Sequence, residues 1–89
     1  MTEADVLART RAYVTANFLY MRPDFQFEDD DSLLQRRVID SLGVMEIVGF
    51  LEETFAINVG PADVTEANFG TLVRIARYVI TKASEKQPA

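Results

Sequence analysis

The sequence predicts an all-α protein, a small bundle of four helices in one domain. Apolar residues recur at helical spacing in three segments, and no segment shows the sustained alternation of a β-strand. The chain has 89 residues, of which 48% are hydrophobic, so there is enough apolar material for one small core and no room for a second. We expect three longer helices, one short third helix, and a long loop between helices one and two, within a single domain at 1–89.

The first helix is expected at residues 3–20. Thr2 can cap it, and it should end before Pro23, because a residue that precedes proline avoids the helical region. Its apolar face is predicted to hold Leu7, Val14, Phe18 and Met21.

The first loop, residues 22–39, mixes a run of acids with apolar side chains that water would not favour. A loop of this length is unusual in a compact domain and is often functional. We expect its aromatic side chains to hold it across the helix ends, with one short helical turn after Ser32.

The second helix, residues 41–56, has two different faces. One is an apolar stripe that should pack on the bundle, and the opposite one is an outward face, acidic with one leucine. The stripe holds Val44, Ile47, Val48, Leu51 and Phe55; the outward face holds Leu42, Glu46, Gly49 and Glu53.

The last third of the chain predicts two more helices. A single helical turn is expected at 65–69, capped by Thr65 or Asp63, and a final helix at 71–83, capped by Thr71. The final helix shows an apolar stripe of Leu72, Ile75, Ala76 and Val79. Residues 84–89 are expected to form a disordered tail.

Composition excludes several classes of function. The chain has no cysteine and no histidine, so it lacks a thiol nucleophile, the usual partner of a catalytic serine and the commonest metal ligand. The acid run of the first loop lacks the glycine and the regular alternation of a calcium loop, so no metal site is expected. Because these groups are absent, the sequence argues against self-contained catalysis, and we do not expect an enzyme.

Charge gives a second constraint. The net charge is −5, and residues 40–73 contain six acids and no base. Such a surface repels nucleic acid and favours basic partners, although acidic residues also serve solubility. No apolar run has the length of a membrane span and no signal-peptide pattern is present, so a cytoplasmic monomer is expected.

Ser41 stands at the start of the second helix, directly after Asp40. Both residue types are preferred helix caps, and a pair of them needs no function. If Asp40 caps the helix alone, however, the Ser41 hydroxyl is free, and a phosphoester on it would be favoured by the helix N-terminus.

At this point the sequence resembles the acyl carrier proteins. The shared features are Asp40-Ser41-Leu42, then Glu52-Glu53-Thr54-Phe55-Ala56-Ile57 at the end of the same helix, and the segment 64–72. The resemblance covers about residues 30–82. It implies an acyl-carrier-like four-helix bundle in which Ser41, flanked by Asp40, carries phosphopantetheine installed from coenzyme A by a phosphopantetheinyl transferase.

The resemblance also implies partners and further site residues. The partners would be the transferase, acyl- or aminoacyl-activating ligases, and acyltransferase or synthase enzymes with basic patches. The docking residues would be Leu42, Glu46, Gly49, Glu52 and Glu53. Candidates for the lining of an acyl cleft are Met45, Val48, Phe55, Ile57, Phe69 and Ile75, each of which simple core packing also explains.

The sequence does not determine which group the predicted carrier holds. Gly43 and Gly49 occupy positions where many fatty-acid carriers have an acid and an apolar residue, so fatty-acid, polyketide and other specialised biosynthesis all remain candidates. An aminoacyl or D-alanyl carrier is the alternative within the family. An alternative of another class is a small acidic helical interaction module without a prosthetic group, in which Ser41 is only a cap.

Overall fold

The computed structural model describes residues 1–86, without the side chain of Lys86, and over that range it is helical with no strand. The predicted fold, with three longer helices and a short third one, is confirmed. The helices are α1 (Glu3–Phe18), α2 (Ser41–Phe55), α3 (Glu66–Phe69) and α4 (Leu72–Lys86), with a 3₁₀ turn at Pro61–Asp63 before α3.

The helix ends differ from expectation by up to three residues. α1 ends at Phe18 rather than at residue 20, and α2 ends at Phe55, where Ala56 takes a left-handed conformation with φ 56°. α4 continues to Lys86, so residues 84–86 of the expected tail are helical. Residues 87–89 lie outside the described residues.

The buried face of α1 also differs from the predicted one. Val6, Thr10 and Val14 are completely buried, whereas Met21 is 78% exposed because the helix has ended before it. The Thr10 hydroxyl donates a hydrogen bond to the Val6 carbonyl at 2.8 Å. This bond satisfies the buried hydroxyl and lets a polar residue occupy a core position.

α4 is the central helix, because it contacts each of the other three. Its predicted stripe is confirmed: the four side chains are fully buried and form the middle of the core, together with Leu33 and Leu51. The stripe residues are Leu72, Ile75, Ala76 and Val79.

The first loop is fixed to the α3–α4 corner by two backbone hydrogen bonds. The Leu33 amide donates to the Gly70 carbonyl at 3.0 Å, and the Val73 amide in the first turn of α4 donates to the Asp29 carbonyl at 3.1 Å. The second bond satisfies a donor that the helix start would otherwise leave unpaired. The loop is therefore part of the bundle.

The expected helical turn after Ser32 is present at residues 33–37. The Gln35 amide donates to the Ser32 hydroxyl at 3.2 Å, which caps the turn. At its other end Arg37 takes φ 59°, its amide donates to the Leu34 carbonyl, and the Val38 amide donates to the Leu33 carbonyl. This pair of bonds around a left-handed residue is the Schellman pattern that ends helices.

Arg11 of α1 holds the middle of the first loop. Its guanidinium donates two hydrogen bonds to one Asp29 carboxylate oxygen, at 2.6 and 3.1 Å, and a third to the Phe27 carbonyl at 3.1 Å. The same guanidinium lies 4.3 Å from the centre of the Phe27 ring. One side chain thus makes an ion pair, a backbone contact and a cation–π contact.

We predict that Arg11→Ala lowers the free energy of unfolding by about 1–2 kcal/mol, because these contacts are lost together. Urea denaturation followed by circular dichroism measures this change. Arg77→Ala is the matched control, since Arg77 makes one exposed ion pair, to Glu3 at 3.4 Å. The control should change stability by less than about 0.5 kcal/mol. Equal losses in the two variants would contradict this role for Arg11.

Candidate functional site

Asp40 caps α2 and leaves Ser41 free. An Asp40 carboxylate oxygen accepts a hydrogen bond from the Gly43 amide at 2.8 Å, and the Asp40 carbonyl accepts one from the Val44 amide. Ser41 is therefore the first residue of the helix, and it is exposed. Within residues 1–86 its hydroxyl has no hydrogen-bond partner, so the oxygen is open to modification.

Gly43 is explained by close packing. It is buried, and a Cβ atom at this position would lie 3.0 Å from the Ile39 Cβ and 3.1 Å from a ring carbon of Phe18. The first turn of α2 therefore lies close to the end of α1, and a side chain at residue 43 would push against both neighbours. Gly49 is the opposite case, since a Cβ there would meet nothing within 4 Å.

A groove of about 670 Å³ lies beside Ser41, and we call it the Ser41 groove. Phe18 of α1 contributes to one side, Leu34 and Arg37 of the first loop to another, and Leu42 of α2 to a third. Leu34 is 44% exposed and Leu42 is 76% exposed, so the walls present apolar surface to water. This groove could not be predicted from the sequence, because it depends on how α1, the first loop and α2 pack.

The four residues of the outward face are all exposed, as their spacing predicts. Met45 lies beside them and is 56% exposed, so it is a surface residue, unlike the buried cleft candidates. Its position three residues after Leu42 would have indicated this from the sequence. Glu52 is half-buried, and its carboxylate accepts a hydrogen bond from the Val59 amide at 2.9 Å, which holds the segment after α2.

The remaining cleft candidates lie in or against the core. Four are buried and Phe55 is half-buried; the buried ones are Val48, Ile57, Phe69 and Ile75. Phe69 lines a small cavity of about 130 Å³, which also touches Leu34, Val44 and Val64. Leu34 therefore borders both this cavity and the Ser41 groove.

Tyr13 joins α1 to the outer side of α2. Its ring stacks on Phe50 with centroids 4.1 Å apart and 18° between planes, and its hydroxyl makes a weak, 3.5 Å hydrogen bond to the Glu46 carbonyl. Burial raises the pKa of Tyr13, and the negative charge of Glu46 raises it further. The phenol stays neutral at physiological pH and serves packing.

The described residues show two further absences. No group of three or more acidic side chains in residues 1–86 is arranged to hold a metal ion. No helix in that range is both long and apolar enough to cross a bilayer.

We predict opposite effects for alanine at the two α2 glycines. Gly43→Ala should lower the free energy of unfolding by about 1–3 kcal/mol, because the new methyl group pushes against the Phe18 ring and against the Ile39 Cβ, which can move only with its backbone, and this cost exceeds the helix-propensity gain of alanine. Gly49→Ala should raise it by about 0.5–1 kcal/mol, because alanine favours the helix and meets no neighbour. Paired urea denaturation curves measure both, and a shift of the same sign in both variants would contradict the packing described here.

Comparison with known protein families identifies the segment around Ser41. The family model described as "Phosphopantetheine attachment site" matches residues 16–79, which are 64 of the 89 residues. The matched segment contains Ser41, the whole of α2 and α3, and residues 72–79 of α4. No curated protein matches the chain.

Proposed function

The chain belongs to the phosphopantetheine attachment-site family and is a carrier of that prosthetic group, and from this premise we propose that Ser41 is the attachment residue. The observation that carries the proposal is the exposed Ser41 hydroxyl, which has no partner in residues 1–86 because Asp40 caps the helix. Of the three serines in the sequence, Ser41 and Ser32 lie within the matched segment, and the Ser32 hydroxyl already caps a turn.

The residues around Ser41 fit a phosphodiester. The start of α2 carries the positive end of the helix dipole, which favours a negative group on its first residue. When bound, phosphopantetheine supplies a terminal thiol that can hold an acyl or aminoacyl group as a thioester, and the chain itself has no cysteine. The role of the chain is then to hold the group in the open and to be recognised.

Recognition is proposed to use α2. Glu46 and Glu53 are exposed carboxylates, and Leu42 and Met45 provide apolar contact between and beside them. The open surface at Gly49 lets a partner approach the helix backbone. These features fit basic patches on a phosphopantetheinyl transferase, an activating ligase and an acyltransferase or synthase. Charge complementarity raises the association rate of such complexes more than their affinity.

We propose an acyl group as the cargo, in fatty-acid, polyketide or another specialised biosynthesis. An aminoacyl or D-alanyl group is the second candidate, and the small volume of the cavity beside Phe69 favours it over a long acyl chain. Loading with matched short-chain, long-chain and aminoacyl donors, followed by intact mass measurement, separates the two.

The attachment site is tested by loading and weighing. With coenzyme A, magnesium and a broad-specificity transferase, the wild-type protein should gain one phosphopantetheine, and Ser41→Ala should gain none. Ser32→Ala is the matched control and should gain one, because that hydroxyl serves only the turn. Loading that persists in Ser41→Ala would refute the assignment.

The docking surface is tested by a charge reversal. Glu53→Lys should lower kcat/KM for transferase loading by about 3- to 10-fold at low ionic strength, with the difference shrinking as salt is added. Asp30→Lys makes the same change in net charge at an exposed residue of the first loop and should alter kcat/KM less than about twofold. Equal effects would mean that total charge, and not the α2 surface, governs recognition.

A further inference from the structure

Arg37 is the arginine of the first loop that the fold does not use. Arg22 donates a hydrogen bond to the Arg37 carbonyl at 2.6 Å, and Arg36 donates one to the Gln26 carbonyl at 2.9 Å. Both of these guanidinium groups also lie over the Phe25 ring. The Arg37 side chain is exposed, and within residues 1–86 its guanidinium has neither a hydrogen bond nor an ion pair.

The backbone nevertheless holds Arg37 in a defined place. Its left-handed conformation closes the turn after Ser32, and its carbonyl is tied to Arg22. The next two residues, Val38 and Ile39, are buried, and both of their amides donate to the Leu33 carbonyl, at 2.9 and 3.3 Å. The path from Arg37 to Asp40 is therefore fixed by packing.

Within the described part of the chain, Arg37 is also the one cationic side chain that lines the Ser41 groove. Asp40 and Leu42 line the same groove, and Ser41 stands between them in the chain. A group attached to the Ser41 hydroxyl therefore starts at the edge of this groove. Glu46 is a further lining residue, so without Arg37 the groove would be negative and would repel a phosphodiester.

We propose that Arg37 binds the phosphodiester of the phosphopantetheine arm on Ser41 and lays the first part of the arm along the Ser41 groove. The planar guanidinium presents paired N–H donors that match two phosphate oxygens. The apolar walls formed by Phe18 and Leu34 then contact the arm beyond the phosphate. This inference rests on the proposed attachment to Ser41, and it makes Arg37 a positioning residue for the arm.

The placement has a consequence for recognition. The arm rests in the Ser41 groove, whereas Gly49 and Glu53 lie farther along α2, are exposed and do not line the groove. A partner can then contact Gly49 and Glu53 without displacing the arm, whereas at Leu42 and Glu46 it meets the edge of the groove. Because the Arg37 contact is exposed to solvent, salt should weaken it.

The test is nuclear magnetic resonance of the loaded and unloaded wild-type protein. Attachment should shift the Arg37 Nε–H resonance more than that of any other arginine, and nuclear Overhauser contacts should join the dimethyl group of the arm to Phe18 or Leu34. In loaded Arg37→Gln those contacts should weaken about two- to fivefold, and the ³¹P resonance of the phosphodiester should move. In loaded Arg37→Lys the contacts should be intermediate between those of the wild-type protein and Arg37→Gln, because lysine keeps the charge and loses the paired donors.

The matched control is Arg9→Gln. Arg9 is exposed on α1 near Thr54 and Phe55, at the other end of α2, so its loss should leave the ³¹P resonance and the arm contacts unchanged. Intact mass is measured first on every sample. A protein that gains no phosphopantetheine on Ser41 overturns both the proposed function and this inference. A loaded wild-type protein whose Arg37 resonance does not respond overturns this inference alone, and that result needs no variant to fold.

Discussion

The hydrogen bond between the Gly43 amide and the Asp40 carboxylate fixes the functional end of the molecule. It starts α2 at Ser41, with Asp40 as the cap. If Ser41 were the cap, its hydroxyl would accept a hydrogen bond from a helix amide, as the Ser32 hydroxyl does from the Gln35 amide. Gly43 serves twice, since it donates this bond and, by lacking a side chain, lets α2 approach Phe18. The free hydroxyl of Ser41 thus depends on Asp40 and Gly43.

The position of Asp40 depends in turn on the first loop. Little of that loop is regular, yet its two aromatic rings and two of its five acids contact arginines: Arg11 contacts Asp29 and Phe27, Arg22 contacts Phe25, and Arg36 contacts Asp31 and Phe25. The loop returns the support by satisfying the first turn of α4 through the Asp29 carbonyl. The long loop between α1 and α2 is therefore held against the core helix α4, and this fixes the residues that lead into α2.

The parts of the fold that could be predicted are those that depend on local chemistry. Helical spacing and caps gave all four helices, the α4 stripe, the outward face of α2 and the turn after Ser32. The errors lie where tertiary contacts decide: Thr10 is buried because the Val6 carbonyl satisfies it, and Gly43 is needed because Phe18 is near. The Ser41 groove joins three separate segments, so no single stretch could reveal it. The resemblance to carriers gave the prosthetic group, and the family assignment removes the alternative of an interaction module without one.

Charge shows how far a count of residues can mislead. The acids between residues 40 and 73 suggest a broad negative surface, but most of them are engaged within the fold. Asp40 caps α2, Glu52 holds Val59, Asp63 accepts from Tyr78 at 2.7 Å and pairs with Lys82, and Glu66 pairs with Arg74. Among residues 1–86, the carboxylates of Glu46 and Glu53 have no partner; Leu42 and Met45 precede them on α2, and Gly49 lies between them. Two exposed carboxylates can orient a partner but add little affinity, because exposed ion pairs contribute about 0–1 kcal/mol each. If α2 is the docking surface proposed above, apolar contact at Leu42 and Met45 would therefore supply much of the binding energy.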